Sequence, residues 1–88
     1  MNSSLATKVD DLCRTYREHQ LSLRELADQI AFHADAFEQL RYEQVREGRR
    51  LASALRIQAD YADEGCEYEA EVQRILTSIE LWLAQIPK

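Results

Sequence analysis

Apolar residues recur along this chain at three- and four-residue spacing, in runs separated by short polar interruptions. Leu5, Val9, Leu12 and Tyr16 step at four, three and four, which predicts a first helix from about Ser4 to His19 with Ser3 or Ser4 as its cap. The second run is the longest: Leu26, Ile30, Ala34, Phe37, Arg41, Val45, Gly48, Ala52, Leu55, Ala59 and Ala62 fall on one helical face. Arg41 and Gly48 interrupt that face. A third run, Tyr68, Val72, Ile75, Ile79, Trp82, Leu83 and Ile86, predicts a last helix that ends before Pro87. The pattern is that of an all-α protein.

Local signals place two boundaries. Ser22-Leu23-Arg24-Glu25 reads as a capping box, with the serine hydroxyl accepting from the Glu25 amide and the Glu25 carboxylate reaching back to the Ser22 amide. Leu21 and Leu26 occupy the two positions of a hydrophobic staple at the same start. At the other end, Asp63-Glu64-Gly65-Cys66 reads as a stop, with Gly65 in the left-handed position of a Schellman turn and Tyr61 and Cys66 placed for its accompanying contact. Glu67, Glu69 and Glu71 then suit the positive end of the following helix. No proline interrupts the stretch from Leu21 to Glu64.

Gly48 is ambiguous, because a glycine either ends a helix or sits inside one at a cost of about 1 kcal/mol relative to alanine. Arg49 and Arg50 are poor first-turn residues and no capping side chain stands nearby, whereas Glu43 with Arg46 and Glu47 with Arg50 are good pairs for an unbroken helix. Two architectures of an antiparallel helical bundle stay open. In one, three helices include a central helix about 60 Å long, over whose halves the first and last helices fold back. That arrangement leaves apolar surface half covered and predicts a homodimer. In the other, a break near Gly48 gives four helices that close into a compact monomer.

With 88 residues the chain is a single domain, residues 1–88, that buries only about 60–65% of its unfolded surface, so a partner or a second copy adds stability. Its net charge of −5 disfavours nonspecific contact with nucleic acid or anionic membranes and favours a basic partner. Cys13 and Cys66 have neither metal-type nor redox-type spacing and are expected as free thiols. Met1 to Ser4 do not open a signal peptide, and no run approaches the ~20 apolar residues of a membrane span. A soluble, cytoplasmic protein is expected.

Few residues suggest chemistry. His19 and His33 have no partner at metal-ligating helical spacing, so no metal site is expected. The carboxylates are accompanied by no glycine-rich loop and no Ser/His/Asp arrangement, so neither an enzyme nor a cofactor is expected. Trp82 reads as a core or dimer-face residue. The sharpest charge feature runs from Asp60 to Glu71, where six carboxylates and two tyrosines stand without a basic residue. As a solvated helix end this stretch is unremarkable. As a site it is a partner-binding surface of Asp60, Tyr61, Asp63, Glu64, Glu67, Tyr68 and Glu71, in which carboxylates beside phenols imitate phosphates beside stacked bases and steer a basic protein into contact.

Two resemblances bear on function. The spacing of Leu23-Arg24-Glu25-Leu26-Ala27 through Ile30, Ala31, Phe32, Phe37 and Leu40 is similar to a helix-turn-helix of the phage-repressor type. Ala31 stands where the turn wants glycine, and the would-be recognition segment, His33 to Gln39, brings acids to where phosphates would lie, which argues against nucleic acid. The order of a helix ending near Tyr16, then Leu21-Ser22-Leu23-Arg24-Glu25-Leu26, then Glu-rich helices and Leu81-Trp82-Leu83, resembles the small acidic helical immunity proteins of the colicin D type. That resemblance implies an inhibitor of a basic RNase toxin. A protein-binding module, an acidic immunity- or antitoxin-like inhibitor, is therefore the expected function, with a dimeric structural scaffold or adaptor as the alternative and a DNA-binding protein third.

Overall fold

All regular structure among residues 2–87, which the computed structural model describes, is α-helical: α1 spans Asn2–Arg17, α2 Leu23–Ala34, α3 Tyr42–Asp63 and α4 Glu69–Ala84. The long central run is therefore two helices. The break lies at residues 35–41 rather than near Gly48, and neither architecture read from the sequence placed it there. Helical periodicity persists across the break because Phe37 is buried and Leu40 half buried from within a non-helical connection.

What turns the chain there comes from elsewhere in the molecule. The buried Asn2 side chain donates from Nδ2 to the Glu38 carbonyl at 2.7 Å and accepts from the Glu38 amide at 2.9 Å. Those two bonds satisfy a backbone unit that an unbroken helix would have satisfied internally. Gln39 takes a left-handed φ of 59° to complete the turn. Arg41 then occupies the N-cap of α3. An arginine cannot accept a hydrogen bond, so the Gln44 Oε1 alone reaches back, accepting from the Arg41 amide at 3.0 Å. Asn2 is also the first residue of α1, which places Ser3 and Ser4 inside that helix instead of at its cap.

Gly48 lies in the second turn of α3, buried, because α4 approaches it there. A Cβ at this position would come within 2.6 Å of Cζ2 and 2.9 Å of Cη2 of Trp82. The indole cannot easily withdraw: Trp82 is only 5% exposed, its Nε1 donates to the Gln44 carbonyl at 2.8 Å, and its ring meets Phe37 edge-to-face at 5.5 Å between centroids. Gln44 Nε2 donates to the Gln85 carbonyl at 3.0 Å in the same place. One aromatic ring thus joins α3, α4 and the α2–α3 connection.

Around this seat the buried side chains form one core, in which Leu26, Leu55, Leu76 and Ile79 are almost wholly withdrawn from solvent. Each such side chain contributes on the order of 1.5–3 kcal/mol. Because α3 packs against both α2 and α4, the face through Gly48, Ala52 and Leu55 is covered within the chain. That face is the one on which the sequence reading rests a homodimer, and here α2 and α4 cover it. α1 is fastened to α4 by a two-pronged pair, with Arg17 Nη1 and Nη2 donating to the Glu80 carboxylate at 3.0 and 3.1 Å. The Glu47–Arg50 pair foreseen on α3 forms; Glu43 and Arg46 make no ion pair among the described residues.

Substituting Gly48 with alanine relieves a helix glycine worth about 1 kcal/mol yet forces overpacking that costs about 1–3 kcal/mol. Chemical denaturation followed by circular dichroism should show Gly48→Ala as net destabilising, by about 1 kcal/mol. In a Trp82→Leu background the same change should become neutral or stabilising. The Arg17–Glu80 pair has a pH signature. The guanidinium holds the Glu80 carboxyl below its ordinary value of 4.5, so its contribution is full above pH 4.5 and is lost as pH falls through the depressed folded value. Since both side chains are about a third exposed, Glu80→Gln should cost only about 0.5 kcal/mol at pH 7 and nothing once the carboxyl is protonated.

Candidate functional site

Two helix ends and two helix starts meet at the other end of the molecule, and local sequence explains each. α1 closes in a Schellman turn: the Gln20 amide donates to the Thr15 carbonyl at 3.1 Å and the His19 amide to that of Tyr16 at 2.9 Å, with His19 itself left-handed at φ 62°. α3 closes in the same way at Gly65, φ 79°, where the Cys66 amide reaches the Tyr61 carbonyl at 2.9 Å. That turn is the one expected from Gly65. α2 starts at Ser22, whose hydroxyl accepts from the Glu25 amide at 3.1 Å. The reciprocal bond from the Glu25 carboxylate to the Ser22 amide is not formed, so half of the expected capping box exists. Leu26 is fully buried and Leu21 half buried against the core, as a staple requires.

Between these ends lies a cleft of about 680 Å³. Its floor is apolar, from Leu21, Leu23, Ala59 and Ala62, and its rim carries Tyr16, His19, Arg24, Asp63, Tyr68 and Glu69. The buried Tyr16 donates its hydroxyl to Glu69 Oε2 at 3.1 Å. Burial first, and that hydrogen bond second, raise the Tyr16 phenol well above its ordinary value, so it stays a neutral donor. Gln73 Nε2 holds the other Glu69 oxygen at 2.9 Å. Arg24 Nη2 bridges Asp60 Oδ1 at 2.6 Å and Asp63 Oδ2 at 2.8 Å, and those hydrogen bonds raise its already high pKa. The guanidinium is a permanent cation.

The seven partner-binding candidates fall at one end of the molecule but in different settings. Asp60 and Asp63 face the Arg24 cation, and Glu71 is paired with Arg74 at 3.0 Å. The cation-free stretch seen in the sequence therefore gains two arginines in space. Glu64 and Glu67 are exposed and make no ion pair or side-chain hydrogen bond among the described residues. Tyr61 is exposed along the rim of α3, and Tyr68 is the half-buried N-cap residue of α4, facing the cleft. Sequence reasoning missed Tyr16, His19 and Arg24 as members of this region. Tyr16 stood in an apolar stripe and Arg24 inside a capping box, and their acidic partners lie far along the chain.

Other candidate chemistry resolves simply. His33 Nδ1 donates to the Gln29 carbonyl at 2.7 Å and its ring meets Phe32 edge-on. Among the described residues no cluster of three His, Cys, Asp or Glu side chains could hold a metal, and no helix is long and apolar enough to cross a membrane. Cys13 and Cys66 are both free thiols. Burial, aided by the charge of Glu80, pushes the Cys13 thiol up to about 12. The segment compared with a recognition helix, His33 to Gln39, leaves α2 at Ala34 and runs through the connection, and its supposed turn residue Ala31 is helical. No family model matches the chain, and no curated protein or solved structure matches it either.

Ser22→Ala should lower stability by about 1 kcal/mol through loss of the N-cap acceptor. Because Glu25 does not reach back, Glu25→Ala should add its own small cost independently. A double-mutant cycle by urea denaturation should return a coupling near zero, where a closed capping box would return a clear interaction.

Proposed function

We infer that this chain is a protein-binding module whose acidic end captures a basic protein, in the manner of an immunity- or antitoxin-like inhibitor of a basic nuclease. The observation that carries this reading is the pair of exposed, unpaired carboxylates, Glu64 and Glu67, beside the tyrosine-edged cleft. Carboxylates without internal cations keep their field directed outward, where it accelerates encounter with a positive surface. The cleft supplies what steering alone lacks. A lysine or arginine side chain entering it would lay its alkyl stem on the apolar floor and bring its charge to Asp63 and Glu69, beside Tyr68.

In this reading the four helices act as an antiparallel bundle that holds the acidic end rigid, so little ordering entropy is lost on binding. Asp60, Asp63 and Glu71, already balanced by Arg24 and Arg74, serve as a second rank that orients a partner cation more than it attracts one. Tyr61, exposed on the same edge, is the anchor. The free thiols of Cys13 and Cys66 fit a reducing cytoplasm.

The test is a comparison of the wild-type chain with Glu64→Lys/Glu67→Lys, both sites being exposed and free of internal pairs. A basic host protein captured by the wild-type chain should associate with the variant about tenfold more slowly, with little change in dissociation rate and a flatter dependence on salt. Tyr61→Ala should instead raise the dissociation rate. If the captured protein is a nuclease, the wild-type chain should suppress its cleavage of RNA and the charge-reversed variant should do so less. Unchanged affinity together with unchanged salt dependence, in a variant still folded by circular dichroism, would overturn the reading.

A further inference from the structure

The outward face of α3 carries a second pattern that the core does not use and that overlaps the acidic end only at its last two residues. Arg46, Arg50, Ser53, Ile57 and Asp60, followed by the C-cap residue Glu64, recur along it at alternating four- and three-residue spacing, the seam of a coiled coil, and all six are exposed. The first two are cations, the last two anions, and the middle pair is one small hydroxyl residue and one aliphatic residue. Ile57 is 51% exposed, an aliphatic side chain left half open to solvent. Arg46 and Glu64 make no ion pair among the described residues.

This order is self-complementary under a two-fold axis crossing α3 at the level of Leu55. Arg46 and Glu64 lie equally far along the helix from Leu55, as do Arg50 and Asp60, and as do Ser53 and Ile57. Laid antiparallel on a second copy, α3 would set Arg46 against Glu64, Arg50 against Asp60, and Ser53 against Ile57, each contact made twice. The parallel arrangement sets like charges against each other and is disfavoured. Tyr61 falls opposite Arg49 in the same register, a cation over an exposed phenol. We propose that α3 is the interface of a weak antiparallel homodimer of this chain, held in register by the unpaired Arg46 and Glu64 between copies, with Arg50 and Asp60 shared between their internal partners, Glu47 and Arg24, and the second copy.

The occupant is a second copy because the charge order matches its own reverse, and a foreign partner would have no reason to share that symmetry. A single helix of this length, about 33 Å, gives an interface in the small, transient class. The polar seam positions specify orientation and register at a cost in strength. Self-association buries Asp60 and Glu64, which also belong to the acidic end, so the dimer and a bound basic partner exclude each other. The proposal itself rests on the α3 face alone and stands without that partner.

Charge reversal at the two unpaired positions tests it. Sedimentation equilibrium of the full chain in low salt, from micromolar to about millimolar concentration, should show a monomer–dimer equilibrium that weakens about tenfold in 0.5 M sodium chloride. Arg46→Glu and Glu64→Arg should each weaken association by tenfold or more. The Arg46→Glu/Glu64→Arg double variant should recover it, and an equimolar mixture of the two single variants should form the heterodimer. Circular dichroism checks that each variant is folded, and Ile57→Asp provides an independent disruption at the centre of the seam. A chain that stays monomeric to millimolar concentration in low salt overturns the proposal, as does a dimer indifferent to both single reversals, or one that the double variant does not restore.

Discussion

The approach of a tryptophan ring to a helix backbone sets the geometry of this molecule. With no side chain on Gly48, α4 comes close enough to α3 for the Trp82 indole to lie over the helix and hydrogen bond to its backbone at Gln44. The depth of that seat brings the far edge of the indole against Phe37 and so draws the α2–α3 connection onto the core. A helix glycine is intrinsically unfavourable; here its cost is offset by the packing of one of the largest side chains available. Moving either partner outward would open a gap shared by three elements, and close-packed interiors have few ways to absorb such a gap.

The two ends of the molecule are held by different kinds of force. At the Trp82 end the ties are uncharged hydrogen bonds to backbone groups, from Asn2, Gln44 and Trp82, the first and last of them partly buried. No buried side-chain nitrogen or oxygen among the described residues lacks a partner, which is the condition under which such bonds rigidify a small core. At the cleft end the ties are mostly ion pairs on the surface, such as Arg24 with Asp60 and Asp63. Exposed pairs contribute little to stability and rearrange readily. The cleft end is therefore where the molecule can exchange internal contacts for external ones without loosening its core.

What could be read from the sequence was whatever is encoded by neighbours. The Ser22 start, the Gly65 turn and the apolar face of the last helix depend on residues within a turn of one another, and each is found. The break at residues 35–41 contains neither glycine nor proline and its backbone is held by Asn2, which lies in another helix; the apolar period runs on through Phe37 and conceals it. Gly48 was correctly associated with arginines that do not start a helix, yet its purpose lay in Trp82, which no local pattern connects to it. The acidic stretch was visible as composition, whereas its balance by Arg24 and its junction with Tyr16 depend on contacts between helices that spacing within one helix cannot reveal.

Asn2 has one further bond: its Nδ2 also donates to the carbonyl of Pro87 at 2.9 Å. Residues 2 and 87 are thus a hydrogen bond apart, and the backbone between them is nearly a closed ring. A ring has no preferred place to be opened. Joining those two residues through a short bridge and cutting the chain instead in the exposed connection after Arg17 would keep every helix and every interhelical contact, in a circularly permuted order. The same proximity gathers residues 2 and 87 at the Trp82 end, the length of the helices away from the cleft, so an attachment made at either residue leaves the acidic end unmasked.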